Sequence, residues 1–186
     1  MEIISQSFLL VALTEMGDKT QLLAFILALQ FRRPWTVFLG ILIATILNHL
    51  AAAYLGSLLG DTWLDNPWLQ YGLAFLFFAF AIWILIPDKE EGLENYKTYK
   101  SALLTTIISF FLAEMGDKTQ LSTFALAARY HEVFLVTIGT TLGMLFSDGL
   151  AIYFGKSIQE KIPMKYVRFA AAFIYVLFAL GILLRN

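Results

Sequence analysis

The string EMGDKTQL occurs twice, at residues 15–22 and again at 114–121, each time near the middle of a long apolar stretch. Each copy puts two carboxylates and a lysine where the hydrocarbon of a bilayer would lie. A central charge costs roughly 2.5–3.5 kcal/mol on insertion scales, so four carboxylates represent on the order of 10 kcal/mol or more. A chain that carries this penalty twice, in identical wording, must turn those groups inward. Glu15, Asp18, Glu114 and Asp117 are therefore read as one cation site inside a membrane protein.

Composition agrees. Of 186 residues, 59% are hydrophobic and only 15% charged, too little polar surface for a soluble domain of this length. A net charge of −1 provides no field for nucleic acid. The absence of cysteine removes disulfides, thiolate metal sites and iron–sulfur clusters. The opening residues MEIISQS lack a basic region and a cleavage site, so they read as the start of a membrane helix rather than a signal peptide.

Apolar runs of about 20 residues mark spans. They fall at 4–29, 35–59, 68–86, 101–128, 133–158 and 166–184. Pro34, Pro67, Pro87 and Pro163 all sit at span boundaries, where a missing N–H is harmless. Trp35, Trp63, Trp68 and Trp83 lie near span ends, as an interfacial belt requires. Residues 88–100 form a charged linker. A shift of 99 aligns 13–56 with 112–155 without a gap, pairing Phe25 with Phe124, Gly40 with Gly139 and Tyr54 with Tyr153. A shift of 98 pairs Ala74 with Ala172 and Phe80 with Phe178.

The chain thus reads as an all-α polytopic membrane protein of six transmembrane helices, built as two three-helix repeats, 1–87 and 101–186. Three is odd, so the second repeat enters from the opposite side; inverted repeats with a midplane site are a secondary-transporter design. Arg32, Arg33, Lys89, Lys97, Lys100, Lys156, Lys161, Lys165 and Arg168 fall on one side, against Arg129 and Arg185 on the other. The positive-inside rule then puts the linker in the cytoplasm and both termini outside.

On a continuous helix Glu15, Asp18 and Lys19 share a face, with Gln21 near it, and so do Glu114, Asp117, Lys118 and Gln120. Gly17 and Gly116 allow either close helix approach or a local break that frees carbonyls. Thr20 and Thr119 add oxygens. An all-oxygen set suits Mn²⁺, Ca²⁺ or Mg²⁺ as transported substrate rather than resident cofactor. Four acids in low dielectric repel one another, so such a cluster can exchange a metal for protons. The plainer account makes Glu15–Lys19 and Glu114–Lys118 intrahelical ion pairs, with Asp18 and Asp117 bridging the halves. The lysines stand between charge balance and gating.

The shift of 99 also pairs Asn48 with Ser147 and His49 with Asp148, deep in spans two and five. Asn48 is a candidate ligand and Asp148 a candidate proton carrier, against the bland alternative of a hydrogen bond to a neighbouring helix. Met16 and Met115 read as packing residues, and Gly139, Gly143 and residues 170–172 as helix-contact surfaces.

A pair of E-x-G-D-[K/R]-[T/S] motifs in a six-span chain of duplicated halves resembles the Gdt-type family, also known as uncharacterised protein family 0016. The resemblance covers essentially the whole chain. It implies export of Mn²⁺ or Ca²⁺ from the cytosol against protons, with Glu15, Gly17, Asp18, Lys19, Thr20 and Glu114, Gly116, Asp117, Lys118, Thr119 as the functional signature. Organellar members carry a long N-terminal targeting extension; its absence here favours a bacterial cytoplasmic membrane. Three other readings compete: a passive cation channel, an exporter of amino acids or organic cations, and a non-transporting scaffold. No nucleophile–base constellation and no Walker-type loop supports an enzyme or a primary pump. Oligomeric state is not encoded in any feature of the sequence.

Overall fold

A computed structural model describes residues 1–63, 67–86, 99–154 and 164–184. Among these, eight helices occur: α1 (Glu2–Glu15), α2 (Lys19–Phe31), α3 (Pro34–Trp63), α4 (Pro67–Trp83), α5 (Ala102–Glu114), α6 (Lys118–Tyr130), α7 (Val133–Phe154) and α8 (Met164–Leu183). The protein is all-helical there. Three stretches are long and apolar enough to cross a bilayer alone: Pro34–Gly60, Val133–Phe154 and Lys165–Leu183. Pro34 and Pro67 each open a helix, as their missing N–H allows. Pro87, Pro163, residues 88–98 of the linker and the expected end of the fifth span at 158 lie outside the described residues.

The expectation of one continuous helix over 4–29, and another over 101–128, is corrected. Both are broken at the motif. Gly17 and Gly116 adopt φ of 76° and 74°, in the left-handed region that a residue with a Cβ avoids. The preceding helices end on Glu15 and Glu114, and new helices begin after Asp18 and Asp117. Thirteen helical residues reach about 20 Å, short of the ~30 Å hydrocarbon core. None of α1, α2, α5 and α6 is long enough to cross that core alone.

The halves interleave. Gly139 admits the backbone of α1: a Cβ there would stand 2.6 Å from the Ile4 carbonyl oxygen. Its counterpart Gly40 admits α5, where a Cβ would meet Thr106 Cβ at 2.6 Å. So the first helix of each half lies on the long helix of the other. Gly143, against Phe8 and Ala12, is a contact position as expected.

The contacts carry a direction. Along α3 and α7 the pairs Trp35–Tyr153, Phe38–Gly149 and Thr45–Met144 run in opposite senses. Thr45 and Met144 are themselves counterparts under the shift of 99. Phe77 stacks on Phe178 at 5.4 Å and Phe80 meets Tyr175 at 5.7 Å, joining α4 to α8. The shift of 98 exchanges these two contacts. By contrast α5 and α6 follow α3 in the same sense, through Gly40–Thr106, Asn48–Phe111, Asn48–Gln120 and Gly56–Phe124. Phe75, Phe134 and Phe173 face outward, with no protein against much of their surface.

Candidate cation site

Each motif is a hinge between two short helices, and its residues divide the work. Asp18 caps α2: its Oδ1 accepts the Lys19 N–H at 2.8 Å, satisfying one of the donors a helix start leaves over. Gln21 closes the turn from above. Its Oε1 accepts the Gly17 N–H at 3.0 Å, while its Nε2 donates to the Ser147 carbonyl at 2.9 Å. Gln120 repeats this in the second half, accepting from Gly116 N–H at 2.7 Å and donating to Asn48 Oδ1 at 3.4 Å. Asn48 in turn donates to the Phe111 carbonyl at 3.1 Å. Both glutamines therefore brace a break against the long helix of the other half. Asn48 and Ser147, paired by the shift of 99, are the two anchors.

The face expected from helical spacing is not formed. Glu15 and Lys19 lie on different helices, so the intrahelical pairs of the plainer account are not formed and crossed ones stand in their place. Lys19 Nζ is 3.1 Å from Asp117 Oδ1, and Lys118 Nζ is 3.6 Å from Asp18 Oδ1. Each lysine pairs with the aspartate of the opposite motif. The carboxylates converge with them: Glu15, Glu114 and Asp117 are buried, and each offers an oxygen within 4.8 Å of the others'. Asp18 is buried beside Lys118, outside that trio. Three acids from two halves of the chain, together with hydroxyl oxygens, form a donor set for a hard divalent cation.

The site is not symmetric. Glu15 accepts hydrogen bonds from Thr20 at 2.8 Å and from Thr119 of the other half. Glu114, its counterpart, has no hydrogen-bond partner on either carboxylate oxygen. A buried carboxylate without donors is costly unless a cation or proton attends it. The Lys19 side chain is 29% exposed and that of Lys118 4%, so access differs at the two breaks. Met115 is exposed rather than packed in the core.

Sequence reasoning missed Tyr175. It is fully buried on α8, with its hydroxyl 3.1 Å from Thr14 Oγ1 and 2.7 Å from Ser122 Oγ. This ties α8 to the end of α1 and to α6 beside the trio. The counterparts are Phe77 for Tyr175, Ala113 for Thr14 and Leu23 for Ser122, so the hydroxyl link exists in one copy only. The signal was present in the repeat alignment, as three coincident polar-for-apolar differences. His49 and Asp148 are both buried. Neither the ring nitrogens of His49 nor the carboxylate oxygens of Asp148 have a hydrogen-bond partner.

The family model described as "Divalent cation/proton antiporter GDT1" matches residues 3–92 and 102–186. The chain is 40% identical to a Vibrio cholerae protein named "Putative manganese exporter", over 97% of this chain and 90% of that one. It is 28% identical to a GDT1-like protein of Synechocystis, over 92% and 91% of the two chains. It is 26% identical to GDT1-like protein 5 of Arabidopsis thaliana, over 97% and 94%. No solved structure matches the chain.

Proposed function

The chain belongs to the GDT1 family of divalent cation/proton antiporters, and from that premise we propose that it exports Mn²⁺ from the cytosol in exchange for protons, with Ca²⁺ as the second candidate cargo. Family membership makes it a membrane transporter and not an enzyme. The observation that carries the cargo reading is the trio Glu15, Glu114 and Asp117, drawn from both halves and held within 4.8 Å.

The cargo binds to oxygens of the trio, with Thr20 and Thr119 aligned on Glu15 beside it. Asp18 joins once Lys118 withdraws, giving four carboxylates around one ion. Until then Lys19 and Lys118 supply the positive charge the site needs when no cation is present. The hinge at each motif lets one short helix tilt while its partner stays seated on a long helix. Six spans in two inverted repeats suit this cycle, with α1–α2 and α5–α6 as broken spans. The opposed running of α3 against α7 supports that topology. The lysine and arginine bias supports a cytoplasmic linker and external termini in a bacterial inner membrane.

Buried acids, each shielded by protein, favour alternating access over a passive pore, whose selectivity ring would be open to water. The test is metal flux in proteoliposomes under an imposed pH difference, with Mn²⁺, Ca²⁺ and Mg²⁺ compared. Glu15→Gln and Asp117→Asn should abolish uphill Mn²⁺ accumulation. Full accumulation by both variants would remove the acids from the mechanism.

A further inference from the structure

Asp148 is a buried acid that the cation trio does not use. It lies on α7 with no exposed surface, and neither of its oxygens has a hydrogen-bond partner. It is not among the three acids whose oxygens converge. Yet it is mechanically close to them. Its neighbour Ser147 receives the Gln21 amide at 2.9 Å through its carbonyl and at 3.2 Å through its hydroxyl. Gln21 holds the Gly17 N–H at 3.0 Å, two residues beyond Glu15. The same turn of α7 therefore carries Asp148 and anchors the first hinge.

It is also electrostatically close. α1 runs along α7 in the same sense, Ile4 at Gly139 and Ala12 at Gly143, which brings its last residue, Glu15, toward the turn that carries Asp148, with a Glu114 oxygen within 4.8 Å of one on Glu15. The groups that join its turn of α7 to α2 are neutral: the Gln21 amide and the Ser147 hydroxyl. The repeat gives it no twin, since the counterpart position holds His49. An unpartnered carboxylate in such a setting is stable only when neutral.

We propose that Asp148 carries the exchanged proton, at a position separate from the acids that hold the metal. This rests on reading Glu15, Glu114 and Asp117 as cation ligands. The step moves one proton and no electrons. When the trio holds no cation, full burial without a hydrogen-bond donor keeps the Asp148 carboxyl protonated. Entry of a divalent cation reverses the local field, and the O–H bond breaks, its proton passing to water on that side. Departure of the cation on the other side restores the field, and the carboxylate takes a proton from water there. Metal and proton exclude each other through space, and that exclusion is the coupling.

The experiment compares wild type, Asp148→Asn and Asp148→Glu in proteoliposomes and in detergent, with Mn²⁺ as probe. Asp148→Asn should bind Mn²⁺ in calorimetry yet lose uphill accumulation driven by a pH gradient; Asp148→Glu should keep it. In infrared difference spectra, addition of Mn²⁺ to wild type should remove a protonated-carboxyl band. That band should be missing in Asp148→Asn and displaced in Asp148→Glu. Undiminished pH-driven accumulation by Asp148→Asn overturns the proposal, as does loss of its Mn²⁺ binding, which would make Asp148 a ligand. If Asp148→Asn does not fold, an unmoved band in Asp148→Glu overturns it instead. Glu15→Gln serves separately: normal Mn²⁺ binding by that variant sinks the cation-site reading, whatever the Asp148 variants do.

Discussion

Lys19 and Asp117 sit 98 residues apart in the chain, and Lys19 Nζ lies 3.1 Å from Asp117 Oδ1. The reciprocal pair, Lys118 with Asp18, is looser at 3.6 Å but more deeply buried. The two contacts bind the motifs to each other as a cross, and they are not equal in what they cost to break.

Removing Lys118 takes from buried Asp18 a balancing positive charge, whereas Lys19 is partly solvated. Lys118→Gln should therefore cost about 3–5 kcal/mol, as loss of one partner of a buried pair does. Lys19→Gln should cost less, about 1–3 kcal/mol, because Lys19 is itself partly solvated although the Asp117 it leaves is buried. Unfolding of both variants in detergent checks the order. The double variant Lys118→Gln/Asp18→Asn should recover part of the loss; no recovery would mean the pair does not interact.

Gly116 separates backbone strain from crowding. A Cβ built there meets nothing within 4 Å, so the whole penalty of Gly116→Ala comes from its φ of 74°. That penalty is about 1–2 kcal/mol, and Gly116→Asn should show less, because Asn tolerates the left-handed region. Gly139→Ala, which drives a methyl into the Ile4 carbonyl, should be worse than either. A thermal-shift series that ranks Gly116→Ala below Gly139→Ala would refute this.

These two motifs also show where the sequence was legible and where it was not. Duplication, the pairing of Gly40 with Gly139 and the inward acids were readable, because apolar length and repeated wording report burial. The break was half readable: glycine followed by aspartate is a helix stop followed by a helix start. Helical spacing instead favoured an intact span, and with it one face shared by Glu15, Asp18 and Lys19. The crossed pairs could not be read, since which lysine meets which aspartate is decided only when the halves interleave. The role of Gln21 and Gln120 as braces was hidden likewise, because their partners lie in the other half.

Tyr175→Phe should destabilise by about 1–2 kcal/mol, the worth of its hydroxyl contacts. The cost is bounded because Thr14 keeps its bond to the Leu10 carbonyl and Ser122 its bond to that of Lys118. Chemical unfolding in detergent measures it, and an unchanged midpoint would show the link to be incidental.

Mn²⁺ affinity should fall as pH falls, because carboxylates must shed protons to ligate a metal. Calorimetry in buffers of different ionisation enthalpy should detect proton release on binding. Affinity independent of pH would exclude the acids as ligands.

The one-sided hydroxyl link has a consequence for the working cycle. Parting α8 from α1 and α6 strips Tyr175 of its two partners, whereas the counterpart motion of α4 strips Phe77 of no polar contact at all. Two postures that an ideal duplication would leave isoenergetic are thereby tilted. In the alternating cycle proposed above, such a carrier would have a preferred resting posture, and its ligands would work against that preference on only one leg of the journey.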